Sequence, residues 1–105
     1  MSVAQTILSQ IHPIVLAELG AREFLRDSGC LIFRVGPGSS RKARVTLDPS
    51  DTYTVECFRT FGSILAGTFR VEKVFCESDI YCDCLDDSLR RMAETWAVAE
   101  MSRNT

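Results

Sequence analysis

Lys42-Ala43-Arg44-Val45-Thr46-Leu47, then Asp48-Pro49-Ser50-Asp51, then Thr52-Tyr53-Thr54-Val55-Glu56-Cys57-Phe58-Arg59 is the stretch whose pattern decides the fold. In its first run Ala43, Val45 and Leu47 alternate with Lys42, Arg44 and Thr46. Successive side chains of a strand point to opposite faces, so one apolar set at a period of two describes a half-buried strand. Asp48 followed by Pro49 suits a type I turn, because proline presets φ at the second turn position. The chain then returns with Tyr53, Val55 and Cys57 on the apolar side. The two runs read as an antiparallel hairpin with one face in a core and the other toward solvent.

Upstream, Cys30-Leu31-Ile32-Phe33-Arg34-Val35 reads as another strand, with Leu31, Phe33 and Val35 on one face. Gly36-Pro37-Gly38-Ser39-Ser40 is a flexible connection; it lacks the G-x-x-x-x-G-K-[ST] pattern of a phosphate loop and leads into a strand. Val3, Ile7, Leu8 and Ile11 follow helical spacing, with Ser2 as the expected N-cap. Pro13 disfavours helical geometry at His12, so that helix ends there or bends. Residues 14–19 form a second short helix stopped by Gly20, and residues 21–25 are expected to add one more helical turn. Residues 27–29 read as a loop.

Downstream, Phe61-Gly62-Ser63 is a turn, and residues 64–75 hold strand material interrupted near Gly67. Phe69, Val71 and Phe75 share a parity with Lys73, so this strand either leaves the core or carries a bulge. Ser78 or Asp79 is expected to cap a long last helix, whose stripe is Leu85, Leu89, Met92, Trp96 and Ala99. Asp86–Arg90 and Asp87–Arg91 are acid-before-base pairs on its solvent side, and its tail from Ser102 is expected to fray. The whole predicts one α+β domain over residues 1–105. Its parts are N-terminal helices, a three- to four-stranded antiparallel sheet and a long C-terminal helix packed on one sheet face.

A chain of 105 residues with 46% apolar and 25% charged residues holds an ordinary core without metal or disulfide help. No stretch approaches the roughly 18–20 apolar residues that span a bilayer, and the N-terminus carries no basic or long apolar leader pattern. No membrane association and a cytoplasmic location are the expectation. A net charge of −2 argues against strong non-specific nucleic-acid binding. The charge is unevenly spread: residues 28–73 are basic and residues 74–105 acidic.

Few residues offer chemistry. Five cysteines (Cys30, Cys57, Cys76, Cys82 and Cys84), an odd number without secretory context, read as reduced thiols. Residues two apart on a helix project about 200° apart, so Cys82-x-Cys84 makes a poor metal grip; neither metal nor other cofactor is expected. His12 is the sole histidine, placed at a helix break, and its reading is a local structural or surface role. Two surfaces remain. Asp79, Asp83, Asp86 and Asp87 lie near one helical stripe, as a solvated helix start or as an acidic patch that meets a basic partner. Arg34, Lys42, Arg44 and Arg70 fall on the outer sheet face by parity, as a solvated face, a protein-binding face or a nucleic-acid platform. Ile32 and Phe58 on that face, or an unpaired edge strand, leave a homodimer open.

Several short pieces carry a resemblance. These are Ala4-Gln5-Thr6-Ile7-Leu8, Ala43-Arg44-Val45-Thr46-Leu47, Asp51-Thr52-Tyr53-Thr54-Val55-Glu56, and Glu77 followed by Tyr81-Cys82-Asp83 and Leu85. Together they resemble a family of small proteins encoded by prophages, plasmids and other bacterial mobile elements. Cys84 departs from that pattern, where a polar residue is expected, and Ser78-Asp79-Ile80 replaces a Gly-Val step. The family has no assigned activity, so no catalytic residue carries over. The resemblance implies an accessory gene product in a bacterial host cell. By analogy with other such proteins, it implies a non-enzymatic inhibitor of a host defence complex, anti-CRISPR-like, acting by steric or charge mimicry. Its partner would be a host protein or ribonucleoprotein complex, met through Asp79, Asp83, Asp86 and Asp87. The alternative is a nucleic-acid-binding accessory protein using Arg34, Lys42, Arg44 and Arg70.

Overall fold

The computed structural model describes residues 3–27, 29–36, 41–62 and 65–103, with side chains as far as Thr95. Ser2, residues 37–40 of the glycine-rich connection, residues 63–64 and the last two residues lie outside this range, as do the side chains of Trp96 and Ala99. The elements run α1 (Val3–Gln10), α2 (Pro13–Leu19), β1 (Arg22–Asp27), β2 (Cys30–Arg34), β3 (Arg41–Leu47), β4 (Tyr53–Phe61), β5 (Arg70–Ile80), a 3-10 turn (Cys82–Cys84) and α3 (Leu85–Arg103). The fold is α+β, and the sheet is an antiparallel meander in the order β1-β2-β3-β4-β5.

The deciding hairpin has the expected register. Ala43 faces Cys57, Val45 faces Val55 and Leu47 faces Tyr53. These residues join Leu31, Phe33 and Val35 on the inner face, where Ala4, Ile7, Ile11, Val15 and Leu19 of the N-terminal segment and Leu85, Leu89 and Met92 of α3 cover them. Helices therefore form one layer and the sheet the other, and burying these side chains supplies most of the driving force. The helix break lies where the sequence puts it. His12 is the N-cap of α2, Pro13 its first residue, and Gly20 closes it at φ 65 with its N–H donating to the Ala17 and Leu16 carbonyls.

Three expectations need correction. The sheet has five strands rather than three to four, because residues 22–27 form β1 instead of a helical turn. Gly20 reverses the chain, and Phe24 then lies 5.4 Å from the Phe33 ring, so pairing with β2 overrides the helical propensity of this run. The last helix begins at Leu85, not after Ser78 or Asp79. Residues 78–80 complete β5, with Ile80 opposite Tyr53, and Cys82 to Cys84 form the 3-10 turn before α3. Finally, α3 continues through Arg103, so Ser102 is still helical.

The parity conflict in β5 resolves as a bulge. Phe58 faces Lys73 while Cys57 faces Phe75, which leaves Val74 as the extra residue. Val71 and Lys73 consequently face outward, and Phe75 turns inward against the core.

Candidate functional site

The meander sorts charge along the strands. The β1–β2 turn, the β3–β4 turn and the β5–α3 junction lie at the same end of the sheet. Segments 27–30, 48–52 and 79–87 hold all seven aspartates of the chain and no lysine or arginine. The sequence stripe Asp79, Asp83, Asp86 and Asp87 is thus joined by Asp27, Asp48 and Asp51. This grouping is invisible in a one-element reading, though hairpin parity alone puts two turns at one end. Asp79 and Asp51 have positive φ, 58° and 62°, a conformation that aspartate tolerates better than most residues.

The four predicted partner-binding residues are not equivalent. Asp79, Asp83 and Asp87 are exposed. Asp86 is half-buried, and its Oδ1 accepts the His12 backbone N–H at 3.0 Å. His12 in turn accepts the Ile14 N–H on Nδ1 at 3.1 Å. Asp86 therefore ties the start of α3 to the start of α2 through the His12 backbone, and the His12 ring itself caps α2, a local structural role. No lysine or arginine forms an ion pair with Asp48, Asp51, Asp79, Asp83, Asp86 or Asp87 among the described residues.

The predicted basic face is partly neutralised. Arg34 pairs with Glu23 at 2.9 Å, and Arg44 pairs with Glu56 at 2.9 Å. Arg70 pairs with Glu72 at 2.9 Å, and it sits opposite Phe61 on the other side of the sheet from Phe58. Its assignment to the same face as Arg34, Lys42 and Arg44 is therefore corrected: the bulge at Val74 reverses the parity, and the outward cation of β5 is Lys73. Lys42 alone of the four has no carboxylate partner among the described residues.

Glu56 is the residue that this reading missed as a centre. Only 8% of its side chain is exposed, yet it holds Arg44 at 2.9 Å and Lys73 at 2.8 Å. Both cations also lie over the Phe58 ring. Burial pushes the Glu56 carboxyl up, but hydrogen bonds from Lys73 and Arg44, and their charges, outweigh burial and hold it below the ordinary value. The cross-strand signal was available, since Arg44 and Glu56 are direct partners in the hairpin. On the helix side, Glu77 takes a matching role. It accepts from Arg91 at 2.7 Å and from the buried Ser88 hydroxyl at 2.7 Å, clamping β5 to α3.

The thiols do not gather. All five cysteines are free; Cys30 and Cys57 are buried, and Cys76, Cys82 and Cys84 exposed. The negative charge of Asp83, with burial, pushes the Cys84 thiol up, which works against a reactive thiolate. Burial, with the charge of Asp27, does the same at Cys30. Among the described residues no three histidine, cysteine, aspartate or glutamate side chains are gathered as metal ligands, and no helix is long and apolar enough to cross a membrane. Comparison with protein-family models, curated proteins and solved structures finds no match to the chain.

Proposed function

We propose that this chain is a non-enzymatic binding protein that docks its aspartate-rich end on a basic surface of a host protein or ribonucleoprotein complex and blocks it. An anti-CRISPR-like accessory protein of a bacterial mobile element, working in the cytoplasm, is the concrete form of this reading. The observation that carries it is the collection of seven aspartates, without a lysine or arginine, on three segments at one end of the sheet. A row of carboxylates on a rigid scaffold imitates the charge of a phosphate backbone and speeds encounter with a cationic groove. The nucleic-acid alternative loses support because Arg34, Arg44 and Lys73 already hold carboxylates. Counterion release from a phosphate backbone needs cations that are available to it.

The test is affinity capture from a nuclease-treated bacterial lysate with the tagged chain and with a variant carrying Asp79→Asn, Asp83→Asn and Asp87→Asn. Asp86 is spared because it holds the His12 N–H. A stoichiometric protein complex that survives nuclease and is lost in the triple variant is expected. Recovery of nucleic acid alone, or a complex that the triple variant retains, would overturn the assignment.

A further inference from the structure

We propose that the open sheet face binds an extended peptide segment of a partner protein that carries bulky apolar side chains next to carboxylates. This surface is separate from the aspartate-rich end and does not depend on its role. On the face away from the helices, a groove of 390 Å³ is lined by Leu25, Ile32, Phe58, Phe69 and Val71, with Lys42, Arg44 and Thr60 in its wall. Leu25 is 57% exposed, Val71 54% and Phe69 48%. Contiguous exposed apolar surface of this kind marks an interaction site more often than scattered single residues do.

The groove runs diagonally from β1 to β5. Five strands span roughly 19 Å, four spacings of about 4.8 Å, and an extended chain rises about 3.3 Å per residue, so at least about six residues are needed to cross it diagonally. The charge selects the occupant. Arg34 is matched by Glu23, and Arg44 and Lys73 share the one carboxylate of Glu56, whereas Lys42 has no carboxylate partner among the described residues and lines both this groove and the smaller adjoining one beside Phe24. An apolar segment with a carboxylate would fill the groove and satisfy that ammonium group. A nucleic acid would meet only Lys42 and the shared Arg44–Lys73 charge, over a floor that is mostly apolar.

A second copy of the chain fits poorly. A two-fold axis along the central strand β3 sets Lys42 on Lys42. An axis across the strands sets the apolar half on the polar half, where Asp27, Thr46, Asp48 and Thr54 lie. A closed small-molecule site would bury most of its ligand, which an open sheet face does not do.

Phage-displayed random dodecapeptides selected on the immobilised full chain, with counter-selection on the Lys42→Glu variant, test the proposal. Enriched sequences are expected to combine leucine, isoleucine or phenylalanine with aspartate or glutamate. A synthetic peptide of the leading sequence should shift the methyl resonances of Leu25, Ile32 and Val71. Its affinity should fall about tenfold in Lys42→Glu, in Val71→Ser, and when its acids are changed to lysine. Both substituted positions are on the sheet surface, and unchanged circular-dichroism melts would establish that the variants fold. The proposal is overturned by no enrichment, by binders without carboxylates, or by shifts confined to residues outside the groove. It is equally overturned if a uridylate oligonucleotide, or self-association without peptide, moves the same methyls.

Discussion

Replacing Glu56 with glutamine removes a charge and almost no volume, so it isolates the electrostatic role of the carboxylate at the centre of the outer face. The side chain is 8% exposed, and its partners Arg44 and Lys73 are 40% and 48% exposed. Breaking a fully buried pair costs about 3–5 kcal/mol, most of it from the stranded charge. Here the charges left behind are half in water, so the loss scales instead with the charge-assisted hydrogen bonds, to about 1–2 kcal/mol. For a domain of this size that lowers Tm by about 4–10 °C at neutral pH. The pH dependence gives the sharper check. The Glu56 carboxyl is held below its ordinary value of 4.5 in the folded chain. The native state therefore favours the ionised form, and the contribution is complete above that value. It fades as pH falls below it and through the lowered folded value. Thermal melts of wild type and Glu56→Gln, followed by circular dichroism from neutral pH to about pH 3, should converge as the carboxylate protonates. Equal Tm values at neutral pH, or a gap that persists undiminished in acid, would refute the reasoning.

Other expectations follow from local geometry. Gly62 has φ 78°, and a Cβ there would overlap the Thr68 carbonyl, so Gly62→Ala should cost at least about 2 kcal/mol and lower Tm by about 8 °C or more. Ser88→Ala removes the 2.7 Å hydrogen bond to Glu77 in a fully buried position. It should cost about 1 kcal/mol in urea denaturation with an unchanged m value. Cys84 should react with iodoacetamide only slowly at neutral pH, and Asp83→Asn should accelerate it, since the Asp83 charge is the largest influence holding the thiol up. An unchanged alkylation rate in that variant would remove the electrostatic explanation.

How far the fold is legible in the sequence depends on whether local pattern and tertiary pairing agree. They agree in the hairpin, where alternation puts Ala43, Val45, Tyr53, Val55 and Cys57 in the core, and in α3, where Leu85, Leu89 and Met92 are fully buried. The shared parity of Lys73 and Phe75 also foretells the bulge at Val74. They disagree in residues 22–27, which do not alternate cleanly because β1 is an edge strand exposed along most of its length. They disagree again at Ser78 and Asp79, where two good capping residues are held in the sheet by the Tyr53–Ile80 pairing.

The site was legible in part for the same reason. The acidic stripe at the start of α3 is local. Its company of Asp27, Asp48 and Asp51 comes from the meander, and the loss of Asp86 to His12 is a contact 74 residues apart. The basic face was visible by parity, but its neutralisation by Glu23 required the unrecognised strand β1.

Amide hydrogen exchange on the chain alone and with its captured partner tests the account most directly, because it locates the interface. The account predicts slowed exchange in residues 48–52 and 79–87, at the aspartate-rich end. Unchanged exchange there, with protection confined to the outer-face strands at residues 30–34 and 41–47, would contradict it.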